Sequence, residues 1–489
     1  MSRINTNIPS VIAQRVLLHQ DQLLQTSLNR LSTGYRINAG RDDPAGLIAS
    51  ENLRAEKTAI QAALTNVSRA NNVVASAEGG LAEINSLLLE LEDLIDRSAN
   101  EAAISVEERN ANQLQIDAIL DSINRIANNT EFLSRKLLSG ELAYSTSGIS
   151  TGSATSYFQN VAINAAKIPN NGYRSVTVGV TQAAELAEIK YTGTQVSGTV
   201  TVQIAGNLGT ETLTFASGTS LGEIVTAVNQ SKELTGVSAS VSAAGGAVNF
   251  NSTQYGARQF VSVKVLDGGG VSTFGDPSHL SNGDAGDNKD YGLNASVTIN
   301  GIAAVTEGLH ASMRSQSLSV DVDLTAEFGT LAAGYTSDRT FTITGGGANF
   351  WISPTIALTG MASLGVQGVG VGSLGDANIG YLSSLATGQT NALATGNYST
   401  AQAIVRAAQQ DVSSLRGRLG AFQKNTLETT ANSLRVTYEN TAAAEANIRE
   451  TEFASETSML TRAQILVQSA TNTLRLANAQ PQNVLALLG

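Results

Sequence analysis

The residues from Pro44 to Ser98 repeat in sevens without a missed step. Leu53, Ile60, Val67, Val74, Leu81, Leu88 and Ile95 form one apolar series. Ala63, Ala70, Ala77, Ile84 and Leu91 form a second, three residues behind the first. Two stripes at alternating steps of three and four make a coiled-coil seam. Asp43 is placed to cap the first free amides, and Pro44 suits the first helical position. At ~1.5 Å per residue such a helix is a rod of roughly 80 Å. A one-sided seam of that length cannot bury itself, so another part of the chain has to lie against it.

Glycine shows where that partner can be. Of the 46 glycines, 6 fall in residues 1–140, 3 in residues 401–489 and 37 between them. Glycine is poor in helix interiors, so the ends are predicted helical and the middle strands and turns. In the first segment Leu17, Leu24 and Leu31 fall seven apart, with Leu28 and Tyr35 beside them. That predicts one amphipathic helix ending near Gly34, then a linker over Arg36 to Asp43. After a break at Ala99-Asn100-Glu101, Ser105 to Glu108 reads as a capping box. Ile116, Ile119, Ile123 and Ile126 follow on one helical face.

From Ser139 the period changes to two, as in Val176, Val178 and Val180 or Val200, Val202 and Ile204. Such runs recur up to Ile343 between glycine-rich turns and predict antiparallel sheet. One short helix starts at Ser220 to Glu223. Residues 360–396 read as a connector. Helical spacing returns at Val405, Ala408, Val412, Leu415, Leu419 and Phe422, slips by one residue, and continues at Leu427, Leu434 and Ile448. Leu460, Ala463, Val467, Ala470, Leu474 and Ala477 give a cleaner last stripe, with Pro481 expected to stop or kink the helix.

The predicted architecture is α+β. Both chain ends build a discontinuous coiled-coil or helical-bundle rod, the C-terminal helices antiparallel to the N-terminal ones, and a β-rich outer domain is inserted between them. The expected divisions are a terminal coiled coil of 1–42 with 455–489, a rod of 43–180 with 376–454 that carries a β-hairpin, and an outer region of 181–375. The terminal pair has apolar residues beyond one stripe, among them Ile465, Leu466, Leu485, Leu487 and Leu488. Two helices with such wide apolar faces ask for neighbours.

The totals exclude several functions. Net charge is −11 with a pI of about 4.9, which argues against nucleic acid as a partner. Cysteine is absent, so there is no disulfide framework. The first residues lack the apolar core of a signal peptide, and no apolar run is long enough for a membrane span. Taken alone this describes a soluble, cytosolic chain, although some export routes use no cleaved signal. His19, His279 and His310 stand apart, without metal-ligand spacing, and Gly268–Gly270 and Gly345–Gly347 read as turns, not phosphate loops. Asp42 and Asp43 read as capping and linker chemistry. Trp351, the only Trp, reads as sheet core. No catalytic residues, cofactor or metal are expected.

At this point the chain resembles bacterial flagellin. The stretch from Leu28 through Asn29-Arg30-Leu31-Ser32-Thr33-Gly34-Tyr35-Arg36 to Asp43-Pro44-Ala45-Gly46-Leu47 is similar to the family's N-terminal motif. Arg416 to Gln423 and the closing Ala477 to Leu485 are similar to its C-terminal counterparts. Residues 199–266, with a strand–strand–helix–strand pattern, resemble a small insert module of flagellin and hook-associated proteins. The resemblance implies a subunit of the flagellar filament, exported unfolded without a cleaved signal and added at the tip outside the cell. The terminal helices would then form an inner tube, with Leu17, Leu24, Leu28, Leu31, Leu460, Val467, Leu474 and Leu485 among its contacts. The implied partners are further copies of the chain, hook-associated junction and cap proteins, and an export chaperone at the C-terminal helices. The alternative is a hook–filament junction protein, which shares the helical ends. In many flagellins a vertebrate receptor reads the long helix, and the resemblance places that receptor-facing patch at Glu90, Glu92 and Leu94. Family members carry Arg at positions matching Glu90 and Glu92, so the reversed charges predict weak recognition. Both lie off the seam and are expected to face out.

Overall fold

The computed structural model describes residues 6–149, 157–169, 172–192, 195–196, 198–242, 246–267, 280–281, 288–330 and 338–488. Of residues 267, 280, 281 and 481–488 only the backbone is described. The helices are α1 (Ile8–Thr33), α2 (Pro44–Ser98), α3 (Val106–Asn129), α4 (Leu221–Gln230), α5 (Lys232–Thr235), α6 (Ala326–Gly329), α7 (Tyr398–Phe422), α8 (Thr429–Arg449) and α9 (Phe453–Leu488). The chain divides into two compact units. The first comprises Met1–Asn71, Trp351–Gly360 and Phe422–Gly489, the second Asn72–Phe350 and Met361–Ala421. The class is α+β: long helices at both ends, β-rich in the middle.

In the first unit α1 pairs with α9. The early turns of α2 lie beside α8 in antiparallel register. Lys57 bonds Glu445 there, and Arg449 reaches Glu51 at 2.9 Å. Ile60, Ala63, Val67 and Ala70 are buried, while Leu53 is only half-buried. The connection from α7 to α8 is a π-helical turn, Gln423–Glu428. Such a turn inserts one residue into a helix. It therefore absorbs the one-residue slip and keeps Leu427 and Leu434 buried.

In the second unit the rest of α2 lies antiparallel to α7. Glu78 approaches Arg416 at 3.9 Å, and Gln402 donates to Asp96 at 2.6 Å. Val74, Ala77, Leu81, Ile84, Leu88, Leu91 and Ile95 are all buried, as are Val405, Ala408, Val412, Leu415 and Leu419 of α7. Burying one such Leu, Ile or Val is worth roughly 1.5–3 kcal/mol. Ser105 caps α3 by accepting from Glu108 N at 3.1 Å. A reciprocal capping box forms instead at Ser220 and Glu223, at the start of α4.

The β region of this unit has two cores. The first lies between two four-stranded sheets, with strand orders Leu280–Ser281, Glu188–Thr192, Ala247–Ser252, Val237–Val241 and Lys289–Tyr291, Phe260–Asp267, Val200–Gly206, Thr210–Phe215. Tyr191, Val202, Ile204, Ile224 of α4 and Phe250 fill it. The second lies between a five-stranded sheet (Ile302–Ala303, Ser296–Ile299, Arg174–Gln182, Arg339–Gly346, Tyr144–Ser147) and a four-stranded one (Val305–Glu307, His310–Arg314, Leu318–Leu324, Phe158–Ala166). Val176, Val178, Val320, Phe341 and Phe328 of α6 fill that one. The pairings are antiparallel, for example Val320 opposite Ile163 and Phe341 opposite Val176. Asn300 and Gly301 both have positive φ (51° and 77°), the backbone that a two-residue hairpin needs. The second core draws on residues on both sides of position 181.

Three expectations are corrected. Residues 360–396, read as a connector, are more than that. Met361–Leu364 is a buried strand, and the chain beyond it is clamped to α3 by side chains. Leu393 N donates to Gln113 Oε1 at 2.8 Å, Thr387 N to Asp117 Oδ1 at 2.9 Å, and Val371 N to Asn124 Oδ1 at 3.1 Å. Side-chain acceptors can satisfy irregular backbone where no ladder exists, and hydropathy patterning does not register them. Trp351 is half-exposed and sits in the first unit, where its carbonyl accepts from Asn66 at 3.2 Å. It closes the strand Ala348–Trp351, which pairs with Met361–Leu364, and it is not core. Helix α9 runs on through Pro481 to Leu488. A proline in the last turns forfeits one backbone bond, which a nearly finished helix can sustain.

Candidate assembly surface

The surface of interest is built on α1 and α9. Asn7 opens α1 by accepting from Ser10 N at 3.2 Å, and its amide donates to Ala477 O at 2.9 Å. Ser10 Oγ donates to Asn478 Oδ1 at 2.7 Å. The buried residues of the pair are small: Ser10, Ala13 and Ser27 on α1, Ala463, Ala470 and Ala477 on α9. Glu456 is buried too, and its carboxylate faces the Arg30 guanidinium at 3.6 Å. Small side chains let two helix axes approach closely but bury little apolar area.

The larger apolar residues of the pair are less deeply buried than these small ones. Leu17, Leu24, Leu31, Leu460, Val467 and Leu474 are half-buried, and Leu28 is exposed. The side chain of Leu485 lies outside the described residues. The seam itself runs through positions 10, 13, 17, 20, 24, 27 and 31, steps of three and four that include two serines. A search for apolar heptads passes over Ser10 and Ser27, although the step pattern contains them.

Outside the seam the pair exposes further large apolar residues. On α1 these include Val11 (61% exposed), Ile12, Leu18 and Leu23; on α9 they include Met459, Ile465 (61%) and Leu476. Each of these side chains is exposed over roughly half or more of its surface. Large exposed apolar patches mark interaction surfaces.

The linkers entering the pair are tied together. Gly34 ends α1 at φ 73°, a left-handed cap that glycine takes without strain. Arg36 N then donates to Arg449 O at 2.7 Å, and Thr451 N to Gly34 O at 2.9 Å. The Arg36 guanidinium reaches Ile448 O at 2.8 Å, and Arg449 stacks over the Tyr35 ring at 5.0 Å. Asp42 accepts from the amides of Ala39 and Asn38, which hold its carboxyl below the usual range. Asp43 accepts from Gly46 N at 2.8 Å as α2 begins. The polar residues between Leu28 and Leu47 thus fix how two chain segments cross.

Residues 4–143 match the model of the bacterial flagellin N-terminal helical region, residues 402–488 that of its C-terminal helical region, and residues 201–254 the flagellin hook IN motif. The chain belongs to the bacterial flagellin family. Flagellin D of Vibrio anguillarum is 27% identical over 489 residues, covering 99% of each chain. Flagellin B of Helicobacter pylori is 27% identical over 532 residues, again covering 99% of each. Among solved structures, FliC from Burkholderia pseudomallei is similar at 17% identity and TM-score 0.23, over 72% of this chain and 98% of that one. The flagellar hook associated protein-3 of Legionella pneumophila is similar at 12% identity and TM-score 0.30, over 81% and 98%. Flagellins are structural proteins, not enzymes, and among the described residues no cluster could hold a metal. His19 is exposed, His310 is paired with Asp323, and His279 lies outside the described residues. No helix among the described residues is long and apolar enough to cross a membrane.

On the long helix of this flagellin, Glu90, Glu92 and Leu94 do not share an outward face. Glu90 is exposed. Glu92 turns toward α7, where Arg406 reaches it at 2.9 Å and Gln409 donates at 2.9 Å. Arg406 first, then Gln409, hold its carboxyl below the usual range. Leu94 is 5% exposed and belongs to the core. The correction follows from α7, which grips Glu92, and from α3, whose Asn112 donates to Ser98 Oγ at 3.0 Å at the end of this stretch. A helix gripped from two sides buries more than one stripe, so positions beside the heptad series face inward as well.

Proposed function

We propose that the chain is the structural subunit of a bacterial flagellar filament, working outside the cell as a helical homopolymer for swimming. The observation that carries this reading is the set of large apolar residues left exposed on α1 and α9, beside a seam of Ser and Ala. In the proposal these residues are buried between subunits as an inner tube. The α2–α3–α7–α8 helices form the outer tube and the sheets project outward. Residues 1–42 with 455–489, 43–180 with 376–454 and 181–375 would be those three layers. Hook-associated junction and cap proteins would meet the two ends of the polymer. An export chaperone would cover the C-terminal helices before an export that needs no cleaved signal.

Seeded polymerisation tests it. Fragments of filament from the native cells, mixed with purified monomer, should elongate into tubes visible by electron microscopy. A hook–filament junction subunit, which the Legionella neighbour would represent, should bind fragment ends and stop. Ends that are bound but not extended would therefore replace the filament reading with the junction one. The receptor-facing patch reduces to Glu90 in this proposal. A reporter-cell assay should show weak activation by the native monomer, and strong native activation unchanged by Glu90→Arg would remove that part.

A further inference from the structure

The two β cores of the second unit meet at a pair of turns. Residues 253–259 join Ala247–Ser252 to Phe260–Asp267 in the first core, and Gly308 and Leu309 join Val305–Glu307 to His310–Arg314 in the second. Asn294 Oδ1 serves both turns, accepting from Ala257 N at 2.8 Å and from Gly308 N at 2.9 Å. A Cβ on Gly256 would lie 2.9 Å from Gly308 Cα, so the two backbones are already in contact. One row of charge crosses this junction. Arg258 pairs with Glu307 at 2.7 Å. Glu307 lies opposite His310 on the neighbouring strand, and His310 lies opposite Asp323 on the next. Residues directly opposite in antiparallel strands share a face, and His310 Nδ1 stands 2.6 Å from Asp323 Oδ1.

With His310 protonated, the signs alternate from Arg258 through Glu307 and His310 to Asp323. With His310 neutral, two carboxylates flank an uncharged ring. The other charged groups around the row are Arg314, 3.8 Å from Asp321, and Arg418, Asp411 and Asp376 across the adjoining cavity. These are two cations against three carboxylates, Asp321 included, so the surroundings also favour the imidazolium. The bond to Asp323 raises the His310 pKa above its ordinary value; burial opposes the rise, and the charges of Asp323, Asp321 and Glu307 add to it. A group raised in this way stabilises the fold fully below its unfolded pKa and loses that contribution as pH rises through the folded one. The His310 side chain is 48% exposed, so water can take the proton. Val305–Glu307 is a three-residue strand at the edge of its sheet. It has few ladder bonds to hold it, so the loss of one cross-strand attraction is felt there.

We propose that His310 is a pH-sensitive latch at the junction of the two β cores, closed while its ring is charged and loosened when the proton leaves. Hydrogen exchange on the full-length monomer, corrected for the intrinsic pH dependence of exchange, tests it at about pH 5.5 and about pH 8.5, on either side of the histidine range. Protection in peptides covering 256–260 and 303–312 should fall about tenfold between the two, the factor that one pKa unit carries. Protection of 200–206, inside the first core, should stay unchanged. His310→Gln should give the lower protection at both pH values. His310→Lys, which keeps a charge throughout, should give the higher protection at both. The native protein supplies a measurement that needs no variant: the His310 ring, followed by NMR, should titrate above the ordinary value of about 6.5. A ring that titrates at or below that value, native protection that ignores pH, the same pH step in folded His310→Gln, or a His310→Lys protein as loose as His310→Gln would overturn the proposal.

Discussion

Two helical seams in this molecule share a spacing and differ in what fills it. In the second unit, α2 presents Val74, Leu81, Leu88 and Ile95 with Ala77, Ile84 and Leu91, all buried against neighbouring helices of the same chain. In the first unit, α1 and α9 bring together Ser10, Ala13 and Ser27 with Ala463, Ala470 and Ala477, and their large apolar residues stay half-buried or exposed. Spacing fixes that a helix will pair. Side-chain size at the paired positions fixes whether pairing completes the burial. The rod seam is finished within one chain, whereas the terminal seam leaves apolar area exposed, which in the proposed filament other chains would cover.

The largest expected effect comes from removing one side of the unfinished seam. A chain lacking 455–489 should lose seeded polymerisation altogether, while circular dichroism and a cooperative melt report a folded second unit. Filaments from the truncated chain would show that the terminal face is not the assembly surface. Val74→Asp should break the finished seam. An unpaired charge in a helical core costs several kcal/mol, so the rod should lose much of its helical signal. Leu81→Ala at the same seam should cost about 2–5 kcal/mol, whereas Leu28→Ala on the exposed flank should barely move the melt. Equal costs would erase the contrast between the seams.

Glu92 gives a smaller effect with a definite sign. Its carboxyl is held below the ordinary value by Arg406 and Gln409. The stability it adds is present above the unfolded carboxyl's pKa and is lost as pH falls through the lower folded value. Glu92→Gln should therefore melt below native protein at neutral pH and converge on it in acid, a difference read by thermal melts across that window. Glu92→Arg, placed beside Arg406, should cost more than Glu90→Arg, which faces solvent. The smallest effect is expected at Glu78→Ala, whose 3.9 Å approach to Arg416 is a half-exposed ion pair; exposed pairs are typically worth about 0–1 kcal/mol. Replacing 187–291, which holds the first β core, by a short linker should leave polymerisation intact. That deletion spares Trp351 to Gly360, which belong to the first unit.

Much of this was legible because it is periodic. The heptads of α2, the one-residue slip that became the π-turn, and the period-two runs around Val176 and Val200 are all one-dimensional signals. The clamp of Gln113, Asp117 and Asn124 on residues 371–393 was not legible. Single polar side chains holding irregular backbone leave no repeat. Ser10 and Ser27 escaped for a related reason, since an apolar template scores a buried serine as a gap. The inward turn of Glu92 and Leu94 depends on where α3 and α7 sit, which no local pattern in α2 encodes. The two β cores needed pairing over long separations, such as Ile163 with Val320, and alternation alone leaves such partners open.

Hydrogen exchange on monomer and seeded filament, read by peptide mass spectrometry, tests the central claim most directly. A thinly buried helix pair opens locally at small cost, while a finished core exchanges only with global unfolding. In the monomer, peptides from 8–33 and 453–480 should exchange fast and those from 81–95 slowly. In the filament the terminal peptides should become as slow as the rod. Terminal peptides already as protected as 81–95 in the monomer, or left unchanged by assembly, would contradict the account.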